Sequence, residues 1–333
     1  MKLTKARTRL EKIIPSTLVD ELAHGLIEVE RILVHEGVTT DVEPLHEATR
    51  SVIQAGGKRL RPVLVLLSGF SGEYRREELA TAAAAVEMIH TASLVHDDII
   101  DGSETRRGRE TLQYERGRGF AIAAGDFMFA RAFELLATLK KPAVVERMAR
   151  AAVDLSLGEL DGQAMRRDFV VDRERYFRLI ERKTASLFAA ACAVGGLIAD
   201  APAGAVAALE TFGWRIGVAF QIYDDILDIV GDEAVLGKPA GSDLKEGIVT
   251  LPYVVAVESG ALSYADFAPA ARSVGGWIDA VIERVRSSGA IEAATTEARN
   301  LVSSALASVA ALSNSQLREA LESIGAFVVE RYA

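Results

Sequence analysis

The segment TAAAAVEMIHTASLVHDDII, residues 81–100, passes from an almost unbroken apolar stretch into paired aspartates. Ala82 through Ile89 are apolar at all but one position. No polar/apolar alternation of period two breaks the run, so it reads as a helix covered on every side. The segment runs into His96-Asp97-Asp98-Ile99-Ile100-Asp101, where Asp97 and Asp101 stand four residues apart and share one helix face. Charge inside an apolar helix is costly. The arrangement nevertheless occurs twice, because Tyr223-Asp224-Asp225-Ile226-Leu227-Asp228 lies in a second expected helix, residues 205–230, whose stretch 218–230 is apolar nearly all round. Two such clusters flanked by Ile and Leu point past a solvated acidic face to a cation site. Carboxylate oxygens suit Mg²⁺, which keeps waters and binds through a few carboxylates plus substrate phosphates.

Working outward, helical periodicity dominates. Leu18, Leu22, Leu26, Val29 and Leu33 recur at spacings of three and four. Residues 42–55 continue the pattern and stop at Gly56-Gly57, a helix-end signal, and another helix is expected to start at Pro62. Residues 120–139, 143–165, 176–199, 264–287, 290–312 and 315–332 also read as helices. Sustained period-two patterning is missing, so no sheet is expected. There is no Ser/Gly/Pro-rich linker and no internal repeat. The expectation is a single all-α domain over residues 1–333, a large helical bundle with central helices wrapped by amphipathic ones.

Composition narrows the function. The chain has 333 residues, half of them apolar, with Lys+Arg 38 against Asp+Glu 47. A net charge of −9 argues against a partner such as nucleic acid that is held by a general basic field. A lone cysteine, Cys192, excludes an internal disulfide and a cysteine metal cluster, and suits a reducing compartment. Residues 1–12 lack an apolar signal core, and the longest apolar run, residues 187–199, is too short to span a bilayer. A cytoplasmic protein without a transmembrane segment is expected.

Cations accompany the carboxylates. Gly56-Gly57-Lys58-Arg59-Leu60-Arg61-Pro62 is a glycine-led loop entering a helix, which can hold a phosphate by charge and by backbone N–H groups. Arg106-Arg107-Gly108 follows the first cluster, and arginine forks onto phosphate oxygens. Lys238 lies just past the second cluster. Acid for metal beside base for phosphate is the pattern of a metal–diphosphate site.

Together, residues 56–62, residues 90–101 with Arg106-Arg107-Gly108, Lys183-Thr184, and residues 221–228 with Gly237-Lys238-Pro239 resemble the trans-polyprenyl diphosphate synthases. The match holds in order and spacing over roughly residues 15–330. The resemblance implies an all-α bundle around a deep central cavity, usually a homodimer. It implies head-to-tail condensation of an allylic diphosphate with isopentenyl diphosphate. By this resemblance, Asp97 and Asp101 bind two Mg²⁺ that clamp the allylic diphosphate, with Asp98 as a weaker or supporting ligand. Asp224 holds a third Mg²⁺, supported by Asp225 and Asp228; Mn²⁺ is the alternative ion. Lys58, Arg61, His90 and Arg107 hold isopentenyl diphosphate, and Arg106 the allylic partner. Lys183, Thr184 and Gln221 line the allylic site, and Lys238 neutralises the leaving diphosphate.

Two departures from the family pattern stand out. Glu110 precedes Thr111 where Pro is frequent, and Ile248 stands where the loop often carries Lys. Ala92 and Ser93, just before Asp97, are small where large aromatics stop the growing chain early in the family. They imply an open tunnel and a product of about thirty carbons or more, with Met88, Ile89, Phe129 and Phe133 as candidates for its floor. Such a product also implies transient membrane contact on release. Two other readings stay open: a non-catalytic subunit of a heteromeric synthase, and a class I terpene cyclase. The first typically loses aspartates or loop cations, and the second needs no acceptor diphosphate.

Overall fold

The computed structural model describes residues 3–11, 14, 16–231 and 240–330. Seventeen α-helices run in chain order among them. They are α1 (Leu3–Leu10), α2 (Ser16–Arg31), α3 (Glu43–Gln54), α4 (Leu60–Ser68) and α5 (Arg76–Asp101). A two-residue hairpin, β1 (Thr105–Arg106) with β2 (Arg109–Glu110), leads to α6 (Leu112–Arg116), α7 (Arg118–Thr138) and α8 (Pro142–Asp168). Then come α9 (Arg173–Ile180), α10 (Ser186–Ile198), α11 (Ala203–Val230), α12 (Ser242–Lys245) and α13 (Leu251–Glu258). The last are α14 (Pro269–Arg272), α15 (Trp277–Ser287), α16 (Ala290–Val309) and α17 (Ser315–Glu330). The architecture is all-α, as the periodicity predicts.

The helix carrying the first aspartates is built from local signals. Glu77 and Glu78 occupy the first turn of α5, where carboxylates meet the positive end of the helix dipole. Gly102 ends the helix in the left-handed region at φ 65°, and its N–H bonds the Asp98 carbonyl.

Elsewhere punctuation overrides periodicity. The expected helix 264–287 is instead a 3₁₀ turn over Tyr264–Phe267, α14 and α15. Pro269 and the pair Gly275-Gly276 divide it, and Ser263 and Asp266 form a capping box at its start. The expected helix 176–199 contains a π-turn over Glu181–Ala185, which a 3.6-residue period cannot register. Helix α4 begins at Leu60, two residues ahead of Pro62. The hairpin and α13 fall where the sequence pattern predicts no element. Arg107 and Gly108 form the two-residue tip with φ of 54° and 74°, a type I′ turn too short to leave an alternating pattern.

The chain forms two compact units. The first comprises Met1–Val153, Leu187–Gly213 and Ser308–Ile324. In it α5 packs against α2, α4 and α7, and residues 82–89 are buried without exception. Complete burial of each Leu, Ile or Val contributes about 1.5–3 kcal/mol relative to exposure. At Gly125 of α7 a β-carbon would stand 2.2 Å from His96 Nε2, so α5 and α7 meet here because glycine presents no side chain. A satellite cluster of Ala48, Val95, Ile99, Leu112, Ala121 and Ala124 seats α3, α6 and α7 around the C-terminal half of α5.

The second unit comprises Asp154–Ser186, Trp214–Ala307 and Gly325–Ala333. Tyr176, Tyr223 and Tyr253 are its largest fully buried side chains. Arg173 ties α9 to α13 and α16, meeting Glu258 at 2.9 Å and Glu297 at 2.8 Å. Among the described residues no helix is long and apolar enough to cross a membrane.

Candidate active site

In the first unit the basic segments converge on one stretch of α5. A cavity of about 360 Å³ is lined by Gly56, Glu87, His90, Asp98, Arg106 and Arg107, with an apolar share from Val52, Leu94, Val95 and Leu112. Four arginines, Arg61, Arg107, Arg106 and Arg59, act on His90. Burial and these cations hold its imidazole well below the ordinary 6.5. His90 is therefore neutral at physiological pH and offers one N–H donor.

The individual cations are held in different ways. Arg61 lies over the Phe188 ring, its guanidinium carbon 4.6 Å from the centroid. Lys58 is exposed and Arg61 half-buried. A β-carbon on Gly57 would sit 3.0 Å from Arg107 Nη1, so the bare glycine backbone makes room for that guanidinium. Arg107 is pushed down in pKa by burial, with Glu87 opposing, and remains a cation at neutral pH.

The first aspartate triplet divides by environment. Asp98 is buried and accepts from Arg106 Nε at 2.6 Å. Burial pushes its carboxyl up, against the pull of Arg106. Asp97 is half-buried and Asp101 exposed. The loop beyond is braced onto the helix end, because Gln113 Nε2 donates to the carbonyls of Asp98 and Ser103 at 2.7 and 2.9 Å. Thr111 Oγ1 also donates to Ser103 O, at 2.7 Å. Glu110, where the family often has Pro, pairs with Thr105 in the hairpin.

In the second unit the other triplet divides similarly. Asp225 is buried and accepts from Tyr176 OH at 2.6 Å and from Gln221 Nε2 at 2.9 Å. Burial, with Asp243 nearby, pushes its carboxyl up. Asp228, also buried, accepts from Ser242 Oγ and from the Asp243 N–H at 3.1 Å. Asp224 is only half-buried. Thr184 Oγ1 donates to Gln221 Oε1 at 2.7 Å, completing a chain Tyr176–Asp225–Gln221–Thr184. Lys183, in the π-turn, is bonded to the Glu159 carboxylate of α8.

Lys58, Arg61, His90, Arg106, Arg107, Asp97, Asp98 and Asp101 belong to the first unit, and Lys183, Thr184, Gln221, Asp224 and Asp225 to the second. Ala92 is fully buried in α5, and Ser93 is half-buried with its Oγ donating to His90 O at 2.8 Å. Ile248 is half-buried, its N–H on Asp243 O at 2.9 Å. Lys238 lies outside the described residues. Tyr176 and Glu159 were missed: each stands alone in sequence, and only the fold joins Tyr176 to Asp225.

The donor set suits a divalent cation held with substrate. Among the described residues no three Asp, Glu, His or Cys side chains converge into a preformed cage. Hard carboxylate oxygens fit Mg²⁺, which dehydrates reluctantly and completes its shell with waters and phosphate oxygens.

The all-helical fold, with aspartates at the ends of two apolar helices and an arginine-walled cavity beside one of them, is of the isoprenoid synthase type. The chain belongs to the polyprenyl synthetase family, whose pattern matches residues 42–267. Heptaprenyl diphosphate synthase component 2 of Geobacillus stearothermophilus is 39% identical over 320 residues, covering 96% of this chain and 98% of that protein. A short chain isoprenyl diphosphate synthase of Methanothermobacter thermautotrophicus is 39% identical over 295 residues, covering 87% and 91%. The crystal structure of a polyprenyl synthase from Caulobacter crescentus CB15, complexed with calcium and isoprenyl diphosphate, superimposes with a TM-score of 0.87. Its identity is 33%, and 98% of each chain is covered.

Proposed function

We propose that this chain is a Mg²⁺-dependent prenyltransferase that condenses an allylic diphosphate with isopentenyl diphosphate into a long all-trans polyprenyl diphosphate. The observation that carries the reading is the grouping of Arg61, Arg106 and Arg107 around neutral His90, seven residues before Asp97 on the same helix. An acceptor diphosphate needs such a group, and a terpene cyclase does not. Both aspartate clusters and the loop cations are present, which also argues against a non-catalytic subunit.

Bound Mg²⁺, about three ions in number, supplies Lewis acidity and charge neutralisation to the departing diphosphate. Asp97, Asp101 and Asp224 are the carboxylates to hold it, with the more deeply buried Asp98, Asp225 and Asp228 in support. Lys58, Arg61, Arg107 and the His90 N–H bind the acceptor diphosphate. Arg106, Lys183, Thr184 and Gln221 orient the allylic one, and Lys238 is assigned to the leaving group. The allylic C–O bond breaks with its electron pair leaving on diphosphate. The acceptor's double bond supplies the pair for the new C–C bond, and the proton then lost passes to the released diphosphate. Fixed cations stabilise the developing charge without reorganising.

The named relatives differ in product length, so length is read from the small side chains Ala92 and Ser93, which support about thirty carbons or more. The chain acts as one catalytic domain, as a homodimer in the cytoplasm, with transient membrane contact on product release. A relative named as component 2 favours a second reading, in which a different subunit is needed for full activity. Assay of the purified chain alone, with and without isopentenyl diphosphate, tests both. Product formed only with isopentenyl diphosphate supports the proposal, no product from the chain alone points to a missing second subunit, and product formed without isopentenyl diphosphate points to a cyclase.

A further inference from the structure

Arg59 stands between the two loop cations assigned to the acceptor diphosphate, yet its guanidinium faces into the protein. It is 4% exposed, and all three of its nitrogens donate. Nε bonds Glu30 of α2 at 2.8 Å, Nη1 bonds Glu87 of α5 at 2.7 Å, and Nη2 bonds the Ile53 carbonyl in the last turn of α3 at 2.9 Å. Its backbone caps α4 in the left-handed region, at φ 54°. A residue with a β-carbon stays there only when its surroundings over-determine it. The three bonds supply that determination.

The consequence falls on its neighbours. Lys58 and Arg61 leave a backbone whose place is set by Arg59, one residue on one side and two on the other. Glu87 lies about one helical turn before His90 on α5, so the same ion pair sets the spacing between the glycine loop and His90.

We propose that Arg59 is a positioning residue for the acceptor site: by locking residues 56–61 to Glu30, Glu87 and Ile53, it holds Lys58 and Arg61 opposite His90 and Arg107 without touching the diphosphate. The inference rests on the prenyltransferase reading above. Lysine at this position would keep the charge beside Glu87 but cannot bond three acceptors in a fixed fork.

The test compares wild type with Arg59→Lys and Glu87→Gln in Mg²⁺. KM is measured for each substrate, and isopentenyl diphosphate is titrated calorimetrically in the presence of a non-ionising allylic thiodiphosphate. In both variants acceptor binding should weaken about tenfold or more, while the allylic KM stays within about twofold. A wild type that makes no product from isopentenyl diphosphate overturns the proposed function itself. If wild type is active, a folded variant that binds acceptor normally, or loses both substrates equally, overturns the positioning role. Loss of fold in both variants makes the contact purely structural and overturns it as well.

Discussion

The guanidinium of Arg106 donates through Nε to Oδ1 of Asp98 at 2.6 Å, across the turn that closes α5. Asp98 is buried, while Asp97 on the same helix is half-buried and Asp101 exposed. Asp225 is likewise buried and accepts from Tyr176 and Gln221.

The two kinds of aspartate should therefore respond differently to substitution. Asp97→Ala and Asp224→Ala are expected to lower turnover about a hundredfold or more with helicity unchanged. Asp98→Asn and Asp225→Asn keep the side-chain size, weaken buried hydrogen bonds and should act first on thermal stability, by about 1–3 kcal/mol. Steady-state kinetics beside thermal melts separates the two patterns, and equal kinetic losses at all four positions would contradict the division.

Lys58→Ala and Arg61→Ala should raise KM for isopentenyl diphosphate with a smaller change for the allylic substrate. Arg61 also packs on Phe188, so its variant should lose some stability as well. Equal effects on both substrates would remove these residues from the acceptor site.

Much of this was legible in the sequence because charge inside an apolar helix stands out at any resolution of reasoning. The clusters at Asp97 and Asp224 and the loop at Lys58 announce themselves through composition and spacing. What escaped was information held in single bonds. Tyr176 meets Asp225 across 49 residues, and no local pattern marks it. Arg59 reads as one of three loop cations, and only its partners Glu30 and Glu87 show that it faces inward. The split of residues 264–287 is written in Pro269 and Gly275-Gly276, local breaks that hydrophobic periodicity alone does not register.

Product length should respond to Ala92. It lies five residues before Asp97, about 7.5 Å along the helix axis. An isoprene unit adds roughly 5 Å when extended, so a ring at this position should stop growth after a few units. Ala92 is fully buried, and overpacking can cost about 1–3 kcal/mol. Ser93→Phe, at a half-buried site, is the companion variant. Mass analysis should show mainly fifteen- or twenty-carbon products from whichever variant folds. Unchanged length in a folded variant would contradict the long-chain reading.

His90 should leave a signature in pH dependence. Its folded pKa is held well below the ordinary 6.5, whereas the unfolded chain takes up a proton below that pH. The unfolded state then binds more protons, so the contribution of His90 to stability is lost as pH falls below 6.5. The melting temperature of wild type relative to His90→Gln should drop between about pH 7.5 and about pH 5, which bracket the ordinary histidine value of 6.5. A constant difference would mean that His90 titrates normally in the fold.

The most direct test is one assay on the purified chain: labelled isopentenyl diphosphate with an allylic diphosphate, in Mg²⁺ and in excess EDTA, with products resolved by mass. A Mg²⁺-dependent prenyltransferase yields a ladder of prenyl diphosphates differing by one isoprene unit, released diphosphate in step with chain growth, and no product in EDTA. Full activity in EDTA, or a product that incorporates no isopentenyl label, would contradict that assignment.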